Sequence, residues 1–453
     1  MTKRSLFLGF ILLFSACSSI KITNQTDYSK LIPNPKSIIN KEQLIKDKEA
    51  LKNYHPNPFN SFPEAEWDSL IKVVAKDLPL VPIRETEKTL IRRKLLDRLT
   101  YEDPHLRFVP FLGKKDGLKI KVKQIRALPF TLIQISDTLI IDESYQQELV
   151  KGDRILSING ISAKSFLESS YRDRYMLGYS LQTYHHFCFA PTYKIKLTRN
   201  NKPTEIEIPG FKLNASHLFL LRGQLEEKIF DDFKTGYFSI NEFSFNGYII
   251  KRLSKFIEKL KEKGYSNIII DIRKNPGGSG DRFDELFSLF TNKIKLPYLK
   301  GAKLKVSKAT FKDYSYPENH IGKIVDLPDS LIVKECPLDS SKYKGDMNYY
   351  TLISRNTGSI ASSFANMMQY NNIGLLVGEP LAHNALNYGE VITAERDNSF
   401  WTISTVENFE HTKAKNGILR PDVFIPFVAS EYMKGGDPVL EKCLQFINKS
   451  SNK

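Results

Sequence analysis

Residues 268–272 read Ile268, Ile269, Ile270, Asp271 and Ile272, and run straight into Arg273-Lys274-Asn275-Pro276-Gly277-Gly278. A strand that is apolar at successive positions, not at alternate ones, has both faces covered. Such strands belong to parallel sheets with helices on either side. Upstream, Ile249, Ile250, Leu253, Phe256, Ile257 and Leu260 mark an amphipathic helix that Gly264 closes. A strand pattern at 236–240 precedes it. The alternation returns downstream as a strand at 349–354, a helix at 359–368 and a strand at 373–378. This order predicts βαβ crossovers and an α/β domain over residues 228–430 with a mainly parallel sheet. Residues 390–395 and 400–406 predict an antiparallel hairpin. The stretch 293–345, with many Lys and Tyr and little pattern, reads as an insertion. Residues 431–453 supply a final helix at 437–447 and a frayed tail.

Two further units precede this domain. Leu44, Leu51, Trp67, Leu70, Ile71, Val74, Leu90, Ile91, Leu95 and Leu99 recur at helical spacing. They predict a bundle of about three helices within residues 41–115. Residues 118–210 are β-rich, with strands expected at 129–135, 138–141, 193–198 and 205–208. The last two can pair across Asn200-Asn201. Gly152-Asp153-Arg154-Ile155 leading to Ile158-Asn159-Gly160 resembles a PDZ domain, with residues 181–191 as an inserted helix or loop; an unrelated hairpin is the other reading.

The extreme N-terminus is a leader. Lys3 and Arg4 precede the apolar run 6–14, and Ser15-Ala16-Cys17 follows. That is a charged region, a short hydrophobic region and a small-residue cleavage site, too short for a good membrane span. The Phe14-Ser15-Ala16-Cys17 segment resembles a bacterial lipobox. Residues 1–16 would then be a signal peptide and Cys17 the lipidated first residue. Residues 17–40 would be a tether, and Ser18 fits sorting to the outer membrane. Ordinary secretion is the alternative. The remaining cysteines, Cys188, Cys336 and Cys443, are isolated and lack metal-ligand spacing, so no metal or other cofactor is expected. The net charge of +15 is spread along the 453 residues and reads as a basic solvated surface, not a nucleic-acid site.

Two segments carry chemistry. A strand ending in Asn275-Pro276-Gly277-Gly278 exposes backbone N–H groups with no side chains in the way, which suits an anion or an oxyanion. A plain strand-to-helix turn explains it equally well. Ser359 stands at the start of the 359–368 helix, where serine is an ordinary N-cap, or alternatively a nucleophile. No Gly-x-Ser-x-Gly elbow is present, which argues against an α/β-hydrolase.

Taken together, these motifs resemble the tail-specific (C-terminal processing) and tricorn-core serine peptidase family. The match rests on Ile270-Asp271-Ile272-Arg273 with Asn275-Pro276-Gly277-Gly278, on Ser359-Ile360-Ala361, on Gly378-Glu379-Pro380 and on Pro421-Asp422. The resemblance covers roughly residues 45–430. It implies a ClpP/crotonase-like catalytic domain behind a PDZ-like module that captures polypeptide chains by strand addition. It makes Ser359 the nucleophile, with Gly277 or Gly278 and Ile360 supplying oxyanion N–H groups. The tail-processing branch takes its base from a lysine in the loop after Gly-Glu. Here that loop reads Leu381-Ala382-His383-Asn384-Ala385 and has none. The tricorn-like branch uses an upstream histidine, and Asp103-Pro104-His105 stands in that place. His105 is therefore the expected base, with His383 as runner-up. For the third member, Glu407 and Glu410 lie where that branch keeps a glutamate, and Asp103 is set aside as too close in sequence. The expected function is a lipid-anchored serine endopeptidase of the cell envelope. The alternative is an inactive relative that binds peptides or scaffolds an envelope partner.

Overall fold

The computed structural model describes residues 36–451 except 60–62, 85–87, 89–90, 93–94, 96–102, 104, 111–125, 136, 165–166, 168–191, 213–224, 244–246, 382–387, 397–398 and 416. Cys17, Cys188, His383, Asn384 and the 181–191 segment lie outside these residues.

Near the N-terminus, α1 (Lys41–Tyr54) and α2 (Glu64–Lys76) form as the apolar spacing requires. Asn40 begins α1 with a capping box: its side chain accepts the Gln43 N–H, and Gln43 returns the bond to the Asn40 N–H. The third expected helix falls mostly outside the described residues. These helices do not close a core of their own. Leu44, Leu51, Trp67 and Ile71 pack on Trp401 and Ile403 of a distant hairpin. Two short amphipathic helices bury too little surface to stand alone, so a sheet face completes their core. Strand β1 (Arg107–Pro110) follows at once.

An antiparallel sheet comes next, built from β2 (Phe130–Ile135), β3 (Thr138–Ser144), β4 (Arg154–Ile158), β5 (Thr192–Arg199) and β6 (Lys202–Pro209). Its order is β6-β5-β4-β3-β2. Asn200 and Asn201, at φ 51° and 62°, make the left-handed turn that joins β5 to β6, with Ile206 facing Ile195. Leu132, Ile141, Ile158, Tyr193, Ile195 and Leu197 fill its core.

The α/β domain is a sheet in the order β7-β8-β9-β12-β13-β16. Its strands are β7 (Glu227–Phe230), β8 (Thr235–Ser239), β9 (Asn267–Asp271), β12 (Asn348–Ile353), β13 (Gly374–Gly378) and β16 (Val423–Phe424). Only β7 is antiparallel to its neighbour. Helices α3 (Tyr248–Glu262), α4 (Phe283–Ser288) and α5 (Ile360–Tyr370) cover one face through Leu253, Phe256, Phe287 and Phe364. Helix α6 (Pro438–Ser451) covers the other through Val439, Leu440, Cys443 and Ile447. Cys336 and Cys443 are buried free thiols. Among the described residues, no helix is long and apolar enough to cross a membrane.

The stretch expected as an insertion is part of a second sheet. Strand β10 (Leu299–Lys305) carries β11 (Ile324–Asp326) on one edge and pairs with the expected hairpin, β14 (Tyr388–Arg396) and β15 (Ser399–Glu410). Strand β1 pairs with the far end of β15, Trp401 facing Phe108 and Thr402 facing Arg107. That pairing folds the N-terminal region onto this second sheet.

Candidate active site

The first wall of the site is the end of β9. Asn275 is fully buried, and its Nδ2 donates to the Ile240 carbonyl while its Oδ1 accepts the Gly277 N–H at 2.8 Å. The Asn275 carbonyl accepts the Gly358 N–H at 3.0 Å. Ser354 Oγ donates to the Arg273 carbonyl, and Thr357 Oγ1 to that of Ile272. The loop after β12 is thus stitched to the loop after β9, and Ser359 is held against the glycines. A Cβ at Gly277 would stand 2.7 Å from Ser359 Cβ, and one at Gly278 would stand 2.0 Å from the Phe243 carbonyl oxygen. Both glycines have positive φ, 125° and 133°. Asn275-Pro276-Gly277-Gly278 is therefore a close-approach loop.

Ser359 itself has φ 49° and ψ −129°, a strained backbone for a residue with a side chain. It begins α5 yet makes no side-chain capping bond. The ordinary role of a serine at this position is not the one it fills. Its Oγ lies 3.1 Å from His105 Nε2, across 254 residues of sequence. His383, the other histidine considered as a base, lies outside the described residues.

His105 is held on three sides. Thr402 Oγ1 donates to its carbonyl at 2.5 Å, next to the β1–β15 pairing. Asp103 Oδ1 accepts the His105 backbone N–H at 2.9 Å and lies 3.1 Å from Nδ1. This corrects the expected third member. Asp103 takes that position because its side chain folds back in an Asx-type turn, so two residues of separation are enough. Asp103 is 1% exposed. Burial pushes its carboxyl upward, but the hydrogen bond to His105 and the nearby His55 imidazole outweigh it and hold the group well below the usual carboxylate range. His55, which the sequence reading missed, lies with Nε2 3.3 Å from Asp103 Oδ2. No local motif links a lone histidine at the end of α1 to this site.

Among the described residues, no hydrogen bond or ion pair joins either glutamate to His105. Glu407 lies on β15, in register with Tyr388 and Lys303. Glu410 is buried behind α5, where Oε1 accepts from Ser363 Oγ at 2.6 Å and Oε2 from Asn366 Nδ2 at 2.8 Å. Burial pushes its carboxyl up to about 7, with those two bonds partly offsetting. Asp422, of the Pro421-Asp422 step, accepts the Leu376 N–H and a bond from Gln369, tying β13 to α5.

Backbone donors lie beside Ser359 in the chain and in the glycine loop packed on it. The Gly277 N–H is already taken by Asn275, which corrects its expected part in an oxyanion hole. Among the described residues no acceptor takes the Gly278 or Ile360 N–H, and Gly278 is exposed.

No curated protein sequence matches this chain. Among solved structures, mature CPAF superposes with a TM-score of 0.58 at 13% identity, covering 90% of this chain and 96% of that chain. Mature CPAF complexed with lactacystin gives 0.59 at 14%, covering 91% and 97%. At these identities the likeness shows a shared fold. The model of Peptidase family S41 matches residues 234–423. That span contains Ser359 and the glycine loop, whereas His105 and Asp103 come from outside it. Residues 234–423 thus match peptidase family S41, in line with the tail-specific peptidase family that the motifs of the sequence resemble.

Proposed function

We propose that this chain is a serine endopeptidase in which Ser359 is the nucleophile, His105 the general base and Asp103 the residue that orients His105. The observation that carries the reading is the 3.1 Å approach of His105 Nε2 to an uncapped, strained serine. It answers the missing lysine, because an imidazole can accept the hydroxyl proton.

Ser359 Oγ attacks the carbonyl carbon of the scissile peptide bond, and its proton passes to His105 Nε2. The carbonyl electron pair moves to oxygen, which the Gly278 and Ile360 N–H groups receive. Collapse expels the amine, which takes the proton from His105, and leaves an ester on Ser359. Water repeats the sequence on that ester and frees the serine. Asp103, ionised and accepting from Nδ1, keeps the Nε2 lone pair turned toward the hydroxyl.

The substrates in this reading are extended or unfolded polypeptide segments. The antiparallel sheet β2–β6 would act as a PDZ-like module beside the site. A lipid on Cys17 would hold the enzyme in the cell envelope, with the outer membrane as the favoured address. The test is a serine-reactive fluorophosphonate together with a casein-like substrate. Native protein is expected to label at Ser359 and to cleave, and Ser359→Ala to do neither. A Ser359→Ala protein that cleaves as fast as native would overturn the assignment.

A further inference from the structure

We infer that His55 is a positioning residue for this reaction: its Nε2–H loads the second oxygen of Asp103 and so fixes the orientation and tautomer of His105. The inference rests on the peptidase reading of Ser359.

The argument begins with the carboxylate. Asp103 is buried, and its Oδ1 already faces both the backbone N–H and Nδ1 of His105. A buried carboxylate oxygen left without a donor is costly, so Oδ2 needs a partner. His55 Nε2 stands 3.3 Å away; neither atom has a hydrogen-bond partner among the described residues, and a small turn of the ring would close the bond between them. The other ring nitrogen settles which atom carries the proton. His55 Nδ1 accepts the Asn57 N–H at 3.1 Å. A nitrogen that accepts carries no hydrogen, so the neutral ring bears its proton on Nε2, the atom 3.3 Å from Asp103 Oδ2.

The local sequence fixes that ring before any substrate arrives. His55 ends α1, and its N–H donates to the Leu51 carbonyl at 2.8 Å. Its backbone is extended, φ −82° and ψ 136°, as a residue ahead of Pro56 requires. The imidazole is 3% exposed and packs on the Tyr388 ring, centroids 4.8 Å apart. Tyr388 opens β14, whose partner β15 carries Thr402, the residue bonded to the His105 carbonyl. One end of α1 therefore reaches the base through Asp103 while the hairpin reaches it through its backbone. His55, Asp103, His105 and Ser359 thus stand in one line of near contacts, and only His105 and Ser359 meet substrate in the proposed reaction.

The test uses the full-length protein with two variants and one measurement on the native chain. Nitrogen-15 histidine NMR on the native protein is expected to show His55 as the Nε2–H tautomer. His55→Phe, which keeps a ring on Tyr388 but has no donor, is expected to slow fluorophosphonate labelling of Ser359 roughly 10- to 100-fold. The loss should fall on kcat and spare KM, because no substrate contact is removed. His55→Gln, which restores an N–H donor, is expected to recover most of the rate. The inference is overturned by a native Nδ1–H tautomer at His55, by a folded His55→Phe that labels at the native rate, or by a His55→Gln as slow as His55→Phe. Failure of the peptidase reading looks different: the native protein itself would not label, while the tautomer measurement would still report on the His55–Asp103 bond.

Discussion

At Asp103 two opposing effects meet, and their balance sets the chemistry of the site. Burial alone would favour a neutral acid, yet the hydrogen bond to His105 and the nearby His55 imidazole keep the group ionised. An ionised Asp103 is what selects the Nδ1–H tautomer of His105. Asp103→Asn removes that selection while leaving shape nearly unchanged. It is expected to lower kcat by about 10³- to 10⁴-fold, the scale seen when a triad carboxylate becomes an amide. The check is kcat for a casein-like substrate, with circular dichroism to confirm the fold; a loss under tenfold would remove Asp103 from the orienting role. Ser359 was visible in the sequence only as a helix-start serine, since capping and catalysis favour the same residue at the same place. Its positive φ and its uncapped helix distinguish the two, and neither is written in residue types.

At the scale of elements, α5 is pinned from behind by Glu410 at the end of β15. Ser363 and Asn366, one and two turns beyond Ser359, both donate to that carboxyl. Its folded value, raised from 4.5 to about 7 by burial, means that folding favours the protonated acid. The stability it contributes is therefore whole below 4.5, declines as pH rises toward about 7, and is gone above that. A shift of this size corresponds to about 3 kcal/mol at most. Glu410→Gln stays neutral throughout, and the Ser363 hydroxyl can turn to accept from the new amide. Its melting temperature is expected to vary less than the native one between about pH 5 and about pH 8. Parallel melting profiles for the two proteins would refute this. The sequence placed Glu410 in the right neighbourhood but in the wrong role. Position along a strand says nothing about which neighbour the side chain meets. The strands within 293–345 went unseen for a related reason. Its strand β10 is held by partners far along the chain, and a short strand with mixed polarity leaves little periodic signal.

Over the whole molecule, charged contacts tie the units to the site. Lys274, next to Asn275, bridges Asp142 at 2.6 Å and Glu143 at 3.0 Å on β3, and Tyr432 also reaches Asp142. The buried Arg273 pairs with Asp271 and with Asp437 at the start of α6. The glycine loop is thus anchored to the antiparallel sheet and to the C-terminal helix at adjacent residues. The location of the whole molecule is a separate question, because Cys17 lies outside the described residues. A chain of net charge +15 can adsorb to an anionic membrane without any lipid, but such binding is screened by salt. Native protein is expected to stay in the membrane fraction through a high-salt wash, and Cys17→Ser to appear in the soluble fraction. Native protein released by salt would show that charge, not a lipid, holds it.

The α/β alternation, the β5–β6 turn at Asn200-Asn201 and the glycine loop were determined by the sequence alone, because each depends on neighbours within a few residues. Period, burial on both faces and the conformational freedom of Gly277 and Gly278 are local properties. The active site is not local. His105 and Ser359 are 254 residues apart, and they meet because β1 pairs with β15 and because α1 and α2 bury their apolar face on that same hairpin. Which carboxylate faces His105, which glycine keeps a free N–H, and which second histidine stands behind Asp103 were decided only by the tertiary structure. Each depends on the direction of a single hydrogen bond, and residue order does not encode that direction.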